Sequence, residues 1–263
     1  MKKTLIALAV AASAVVSGSA MAAWTANGTG GNFEVGGTLT PVEKMTPWEV
    51  KVGGATVLNS NIQKGQSVID IPVEKAIPVL GIRVADSSKK AFNGGGGITP
   101  NIDFRGAVDL AAFSKGTTSL RLNVKNSSDQ EIGTLTTQFS AGAEYARYNE
   151  KTKKGEKYNL YQKSSGELFF GGLGKNADSI PSNAWSLAKT LDPEFVANYN
   201  DFGVTTVSPS FYGDVLNPTF KYNAFYGAGI EKGKTIKITL SAPVNGADAI
   251  AWKASWPITV TYQ

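Results

Sequence analysis

Apolar and polar residues alternate along much of the chain in short runs, which is typical of β-strands with one buried face. Turns rich in Gly, Asn and Ser end each run after a few residues. The clearest runs are 48–52, 69–73, 120–124, 220–226 and 236–240. Residues 76–84 are more uniformly apolar, which suits a strand buried on both faces. Because we find no repeated helical crossovers, the pattern predicts an all-β sandwich.

One region has a helical pattern instead. Ser182 or Asn183 is placed to cap a helix, and Asp192, followed by Pro193, is placed to cap a second short helix. The apolar residues of the two helices are Trp185, Leu187, Leu191, Phe195, Val196 and Tyr199. Trp185 is expected to face the core. Since this region interrupts the strand pattern, we interpret about 145–205 as a partly helical insertion on the sandwich.

The start of the chain has the pattern of a secretory signal peptide. Two lysines at positions 2 and 3 precede an apolar stretch, 5–16, that is too short to span a bilayer as a stable helix. Ala20-Met21-Ala22 fits the small-x-small rule for cleavage. We therefore predict that residues 1–22 are removed, with cleavage one residue later as the alternative.

Composition excludes several classes of function. The 263 residues include no Cys and no His, which removes thiol catalysis, disulfides and the commonest general base and metal ligand. Without the two lysines of the signal peptide, the 26 basic residues become 24 against 21 acidic ones, a net charge of +3. That small excess does not favour a nucleic-acid partner. No cofactor, metal site or catalytic residue is predicted.

The two ends of the mature chain are both amphipathic. Four apolar residues of the last segment share one face of a strand that runs to the end of the chain: Trp256, Ile258, Val260 and Tyr262. A flexible Gly- and Asn-rich stretch, 23–31, leads into a second alternating segment whose inward positions are Phe33, Val35, Gly37 and Leu39. An exposed apolar strand is a liability unless it pairs with something.

Together these segments carry a resemblance to a known family. The chain resembles the major subunits of chaperone–usher fimbriae, most closely the kappa class of enteric Gram-negative bacteria, in which the shaft subunit is often also the adhesin. The matching pieces are the start MKKTLIALAVAASA, FEVGGTL at 33–39, WEVKVG at 48–53, GELFFGG at 166–172 and PITVTY at 257–262. The resemblance spans the whole chain, and the lack of Cys fits it.

The resemblance implies an incomplete immunoglobulin-like fold that lacks its last strand. Residues 23–39 would be a donor arm, and 40–263 a pilin domain with a groove beside Trp256, Ile258, Val260 and Tyr262. A periplasmic chaperone would fill this groove first, and the arm of the next subunit would replace it at an outer-membrane usher. Phe33 and Val35 would be the main groove-filling residues. Gly31 and Gly37 would flank them, and Leu39 would belong either to the donor segment or to the first strand of its own domain.

Aromatic residues cluster in the predicted insertion and point to a receptor site. Sugar rings stack on aromatic side chains, so we expect Tyr148, Tyr158, Tyr161, Trp185 and Tyr199 to be candidates for binding a host glycan. The alternative is that these residues are core and hairpin packing, and that the Lys-rich run 151–157 is a solvated hairpin tip.

The sequence leaves other functions open. Within the family, the chain could be a minor subunit without receptor binding. Outside it, the chain could be a self-contained secreted binding domain whose 31–39 segment is an ordinary first strand, or a polysaccharide-active enzyme with a carboxylate pair. The prediction is a surface-exported fimbrial subunit that binds identical subunits head to tail.

Overall fold

The computed structural model describes residues 24, 26–28, 35–41, 45–85, 91–210 and 213–263. The chain forms two compact units, Met1–Lys44 and Met45–Gln263. The described residues of the first unit form no strand or helix, and Val35 and Leu39 are 83% and 97% exposed. The predicted signal peptide, Gly31 and Phe33 lie outside the described residues.

The second unit is built almost entirely from β-strands. In chain order the described strands are β1 Trp48–Val52, β2 Val68–Pro72, β3 Ile77–Val84, β4 Phe92–Asn93, β5 Pro100–Asp103, β6 Thr117–Asn126, β7 Glu131–Asn149, β8 Lys154–Leu160, β9 Val207–Ser210, β10 Phe220–Ile230, β11 Thr235–Leu240, β12 Trp252–Lys253 and β13 Thr259–Tyr262. Among the described residues, one α-helix, α1, spans Ala184–Leu191 between two 3₁₀ helices, Ala177–Ser179 and Pro193–Val196. The predicted all-β, pilin-like fold with a small helical part is confirmed. The five clearest alternating runs lie in strands apart from Val73, which follows the end of β2. The C-terminal strand is shorter than predicted, since it begins only at Thr259.

Three long segments, β2–β3, β10–β11 and β7, lie side by side in the larger sheet. β2 pairs with β11 and β3 pairs with β10, while β11 and β10 both pair with β7. Between β2 and β3, the Val73 amide donates to the Lys234 carbonyl at 2.9 Å, and the Gly233 amide donates to the Val73 carbonyl at 2.8 Å. These bonds join the β2–β3 segment to the β10–β11 segment. β6 and β8 pair along the opposite side of β7. The main path through this sheet is β1-β3-β10-β7-β11-β2, which ends at β1 and β2, while β12 pairs beyond β6 and β9 pairs beyond β8.

The 19-residue strand β7 runs through the whole sheet. Its first half pairs with β6 and β11, and its second half pairs with β8 and β10. Burial alternates along its first half, but every residue from 139 to 146 is buried. The change arises because α1 packs on the outer face of the second half, so both faces are covered there. Residues 145–149 are the end of β7 and β8 follows at once, so the predicted insertion begins as a hairpin of the main sheet.

Local capping explains where the helices begin. The Asn183 side chain accepts a hydrogen bond from the Ser186 amide at 2.7 Å, and the Asp192 side chain accepts one from the Glu194 amide at 2.9 Å. Both predicted helices are thus confirmed. Lys51 of β1 binds Asp192 at 2.7 Å and Glu194 at 2.8 Å, which ties the second one to the sheet edge.

Helix α1 and the second 3₁₀ helix approach the sheet closely because glycines of the sheet lie beneath them. A Cβ added at Gly227 of β10 would lie 2.6 Å from the Ala188 Cβ of α1, and one at Gly81 of β3 would overlap the Phe195 ring. Real Cβ atoms do not come so near. A side chain at Gly227 would therefore displace α1, and one at Gly81 would displace Phe195.

Gly227→Ala should therefore destabilise the domain by about 1–3 kcal/mol, the usual effect of overpacking a core. Denaturant unfolding of the purified chain would measure the change. Gly54→Ala is the matched control, because a Cβ at Gly54 would meet nothing within 4 Å. Equal stability of the two variants would contradict the packing argument.

Candidate functional site: an open sheet edge and an acidic pocket

The C-terminal strand β13 forms a separate two-stranded sheet with β5. Gln263 and Thr99 exchange backbone hydrogen bonds at 3.0 Å, and in an antiparallel ladder every second residue makes such a pair. Thr259 and Thr261 therefore direct their backbone groups towards β5, whereas Val260 and Tyr262 direct theirs away. Within the described ranges, no backbone group bonds to that outer side of β13.

The far side of β5 is already occupied. The Ile102 amide donates to the Phe170 carbonyl at 2.7 Å, and the Phe169 amide donates to the Pro100 carbonyl at 2.8 Å. The small sheet therefore cannot grow past β5 and is open only at β13.

The inward face of the C-terminal segment is only half-covered. Trp256, Ile258, Val260 and Tyr262 pack on the main core but are all partly exposed. Of the four, Trp256 is the best anchored, since its Nε1 donates to the Phe104 carbonyl at 2.9 Å and its ring lies 5.0 Å from that of Phe104. By contrast, Ile236 and Ile238 of β11 are fully buried. A strip of core is therefore open beside β13.

A second free edge begins at the same end of the molecule. Odd-numbered residues of β1 bond to β3, which leaves the backbone groups of Val50 and Val52 facing outward, and both side chains are exposed. Trp48, at the start of β1, is buried and donates from Nε1 to the Ile98 carbonyl at 2.6 Å. Ile98 precedes Thr99, the partner of the last residue of the chain, so β1 starts beside the end of β13.

The five aromatic residues predicted for glycan binding do not form one cluster. The Tyr148 ring stacks on Phe202 at 5.7 Å, the Tyr158 ring stacks on Tyr145 at 5.9 Å, and the Tyr161 ring lies 5.9 Å from the Lys163 ammonium. The remaining two, Trp185 and Tyr199, line one pocket of about 510 Å³.

The expectation that Trp185 faces the core is wrong. Trp185 is 37% exposed, because small residues of α1, Ala184 and Ala188, face the sheet instead. The Lys189 ammonium lies 4.5 Å from the centre of the Trp185 ring. Since α1 packs closely on glycines of the sheet, only small side chains fit between the helix and the sheet, and Trp185 lies at the edge of this contact.

Several polar residues line the same pocket, and our sequence analysis did not identify them. Glu144 of β7 is 6% exposed and Asn159 of β8 is 8% exposed. The Asn159 Oδ1 atom is buried and has no hydrogen-bond partner. Lys157 is mostly buried and binds Asp201 at 3.1 Å. The one sequence indication was Glu144 itself, a charged residue among the small and apolar residues of 141–146.

Burial governs the protonation behaviour of this pocket. Desolvation raises the pKa of Glu144, although Lys157, the Tyr199 hydroxyl and the Trp185 amide each oppose the rise. Desolvation, and then the neighbouring Glu144, also raise the pKa of Tyr199 well above its ordinary value. The pocket lining therefore combines a buried glutamate of raised pKa with Asp201, Lys157 and a Tyr199 hydroxyl that stays neutral.

Two other kinds of site receive no support from the described part of the chain. It contains no group of three or more acidic residues that could hold a metal ion. None of the helices in those same ranges is long and apolar enough to cross a membrane.

Known proteins resemble this chain along its full length. The F41 fimbrial protein of Escherichia coli is 31% identical over 284 residues, and the match covers all of both chains. The K88 fimbrial proteins AB and AD of Escherichia coli are each 28% identical over 289 residues, again covering all of both chains. Residues 1–263 match the family described as "Fimbrial, major and minor subunit". The chain therefore belongs to this family of fimbrial subunits.

Proposed function

We propose that this subunit, exported to the cell surface, polymerises by donor-strand exchange. The N-terminal arm of one subunit, residues 23–39, would add to the outer edge of β13 in the next subunit. The observation that carries the proposal is the unpaired outer edge of β13, beside a row of half-buried apolar residues. Addition of an extended segment to such an edge supplies main-chain hydrogen bonds and fills pockets with alternate side chains.

The arm has the residues that such an edge requires. Val35 and Leu39 are highly exposed, and Phe33 precedes Val35 by the two positions that separate residues on one face of a strand. Burial of Phe33 and Val35 would contribute roughly 1.5–3 kcal/mol each. Gly31 and Gly37 would allow close approach at either end of this pair.

Head-to-tail donation produces an open filament, because the donor and acceptor surfaces of one subunit differ. Before assembly, the open core strip would favour aggregation. We therefore infer that a periplasmic chaperone covers the strip and that an outer-membrane usher directs the exchange. A filament of this type resists dissociation kinetically, although the chain contains no Cys and forms no disulfide.

We further propose that the assembled subunit binds host glycans. The pocket that contains Trp185 and Tyr199 supports this role, since it combines an exposed aromatic ring with polar groups. Tyr148, Tyr158 and Tyr161 lie on or just beyond the neighbouring β7–β8 hairpin and remain candidates for additional contacts. Weak sites repeated along a filament would bind a cell surface with high avidity.

Phe33→Ser should leave the domain folded and prevent polymerisation, because the arm would lose its largest apolar contact. An unboiled SDS gel of material sheared from cells measures this: the parent should give a ladder that collapses on boiling, and the variant should not. Trp24→Ser is the control, because it removes another aromatic residue from the same arm outside the donor segment. A normal ladder from Phe33→Ser would contradict the proposal.

Val260→Asn tests the acceptor side. A polar group in the half-buried row should weaken each junction by up to about 1.5–3 kcal/mol, the value of burying a valine. The ladder should then collapse at a lower temperature than that of the parent. Thr261→Asn changes the adjacent exposed residue on the opposite face and should leave the collapse temperature unchanged. If both variants collapse together, β13 is not the acceptor.

A further inference from the structure

We propose that the Trp185 pocket accepts the hydroxyl groups of a neutral saccharide and rejects saccharides that carry a carboxylate or sulfate. Glu144 and Asn159 are the acceptors that determine this choice. The inference rests on the adhesive function proposed above and specifies its ligand.

The first argument is an unsatisfied acceptor. A buried carbonyl without a hydrogen bond destabilises a folded protein, so each such atom requires an explanation. The Oδ1 atom of Asn159 is buried, has no partner and belongs to a residue that lines the pocket. A ligand hydroxyl would supply the missing donor.

The second argument is charge. Glu144 and Asp201 bring two carboxylates to the pocket lining, against one ammonium from Lys157. Lys157 is mostly buried and already binds Asp201 at 3.1 Å, so its charge is neutralised locally. Within this lining an acidic sugar would meet net negative charge and would lose its own hydration. Lys189, whose ammonium lies 4.5 Å from the centre of the Trp185 ring, is exposed and is not a lining residue. The lysines of the β7–β8 hairpin tip, Lys151, Lys153 and Lys154, are not among the residues that line the pocket.

The third argument is shape. The pocket volume of about 510 Å³ lies within the range of small-ligand sites. The exposed part of Trp185 offers an apolar surface for the C–H face of a sugar ring. Asn183 and Asn200 are also in the lining, but their Oδ1 atoms already accept the backbone amides of Ser186 and Phe202 at 2.7 and 2.9 Å. Their Nδ2 groups can therefore serve as donors. The combination of a stacking ring with buried acceptors, Glu144 and Asn159, and with amide donors suits a ligand whose polar groups are hydroxyls, because a hydroxyl both donates and accepts.

Purified fimbriae should be tested on immobilised glycans in which each neutral structure is paired with its sialylated or sulfated derivative. The parent should bind neutral members and lose at least tenfold in binding when the acidic group is close to the recognised sugar. Glu144→Gln and Trp185→Ala should each reduce binding to the neutral members by at least tenfold. Glu150→Gln, an exposed change at the hairpin tip, is the matched control and should bind normally.

The outcomes separate this inference from the function on which it rests. If the parent prefers acidic members, or if Glu144→Gln binds the neutral members normally, the inference is overturned while glycan adhesion stands. If the parent binds no glycan, adhesion fails and the inference fails with it. The heat-sensitive ladder on an unboiled gel reports assembly independently in each case.

Acidification provides another readout. The groups facing Glu144 are Lys157 from β8, Tyr199 and Asp201 from beyond the second 3₁₀ helix, and the Trp185 amide from α1. Because its pKa is raised, Glu144 takes up its proton at a higher pH than an exposed glutamate does. Parent binding to neutral glycans should therefore decrease as pH falls through that range, whereas Glu144→Gln should give a flat profile. The same acid loss in both proteins would overturn the role of Glu144.

Discussion

An unpaired backbone edge next to an incompletely covered core is the constraint on which the rest of this molecule depends. In β13, Val260 and Tyr262 have no backbone partner on their outer side in the described structure, and their side chains are half-buried. Such an edge is normally paired, shortened or protected by charge. Here Thr259 and Thr261 are the flanking polar residues, and no lysine or proline interrupts β13. An edge of this kind suits a chain whose fold is completed by another chain.

The remainder of the domain supplies rigidity around that edge. β7 pairs with four other strands and extends through both halves of the larger sheet. Its first half supports the core against which Trp256 packs, since the Phe139 ring lies 5.5 Å from that of Trp256. The second half of β7 places Glu144 in the lining of the Trp185 pocket. The open edge of β13 and the pocket share no residue, so the strand addition proposed above would leave the pocket available.

The pocket shows a conflict between stability and chemistry. A glutamate whose pKa is raised by burial is stabilising only when neutral, and its contribution is lost as pH rises through its folded-state pKa. The unpaired Asn159 Oδ1 atom is a second unfavourable feature in the same place. Two such features in one cavity are typical of binding sites, where local stability is exchanged for recognition.

Local patterns in the sequence by themselves determined β1, β2, β3, β6, β10 and β11, the two helix caps and the amphipathic C-terminal segment, because alternation and capping depend on neighbours in the chain. They did not predict the long strand β7 or its hairpin with β8. The family was also recognisable from short motifs at both ends. Only the tertiary structure decided which edges stay open, because strand order depends on pairing between distant residues. Likewise, Gly227 lets α1 pack closely on the sheet, which leaves Trp185 exposed, and Gly81 makes room for the Phe195 ring. The pairing of β7 with β8 buries Glu144 and Asn159 together. Those contacts join positions far apart in sequence, so no local pattern could predict them.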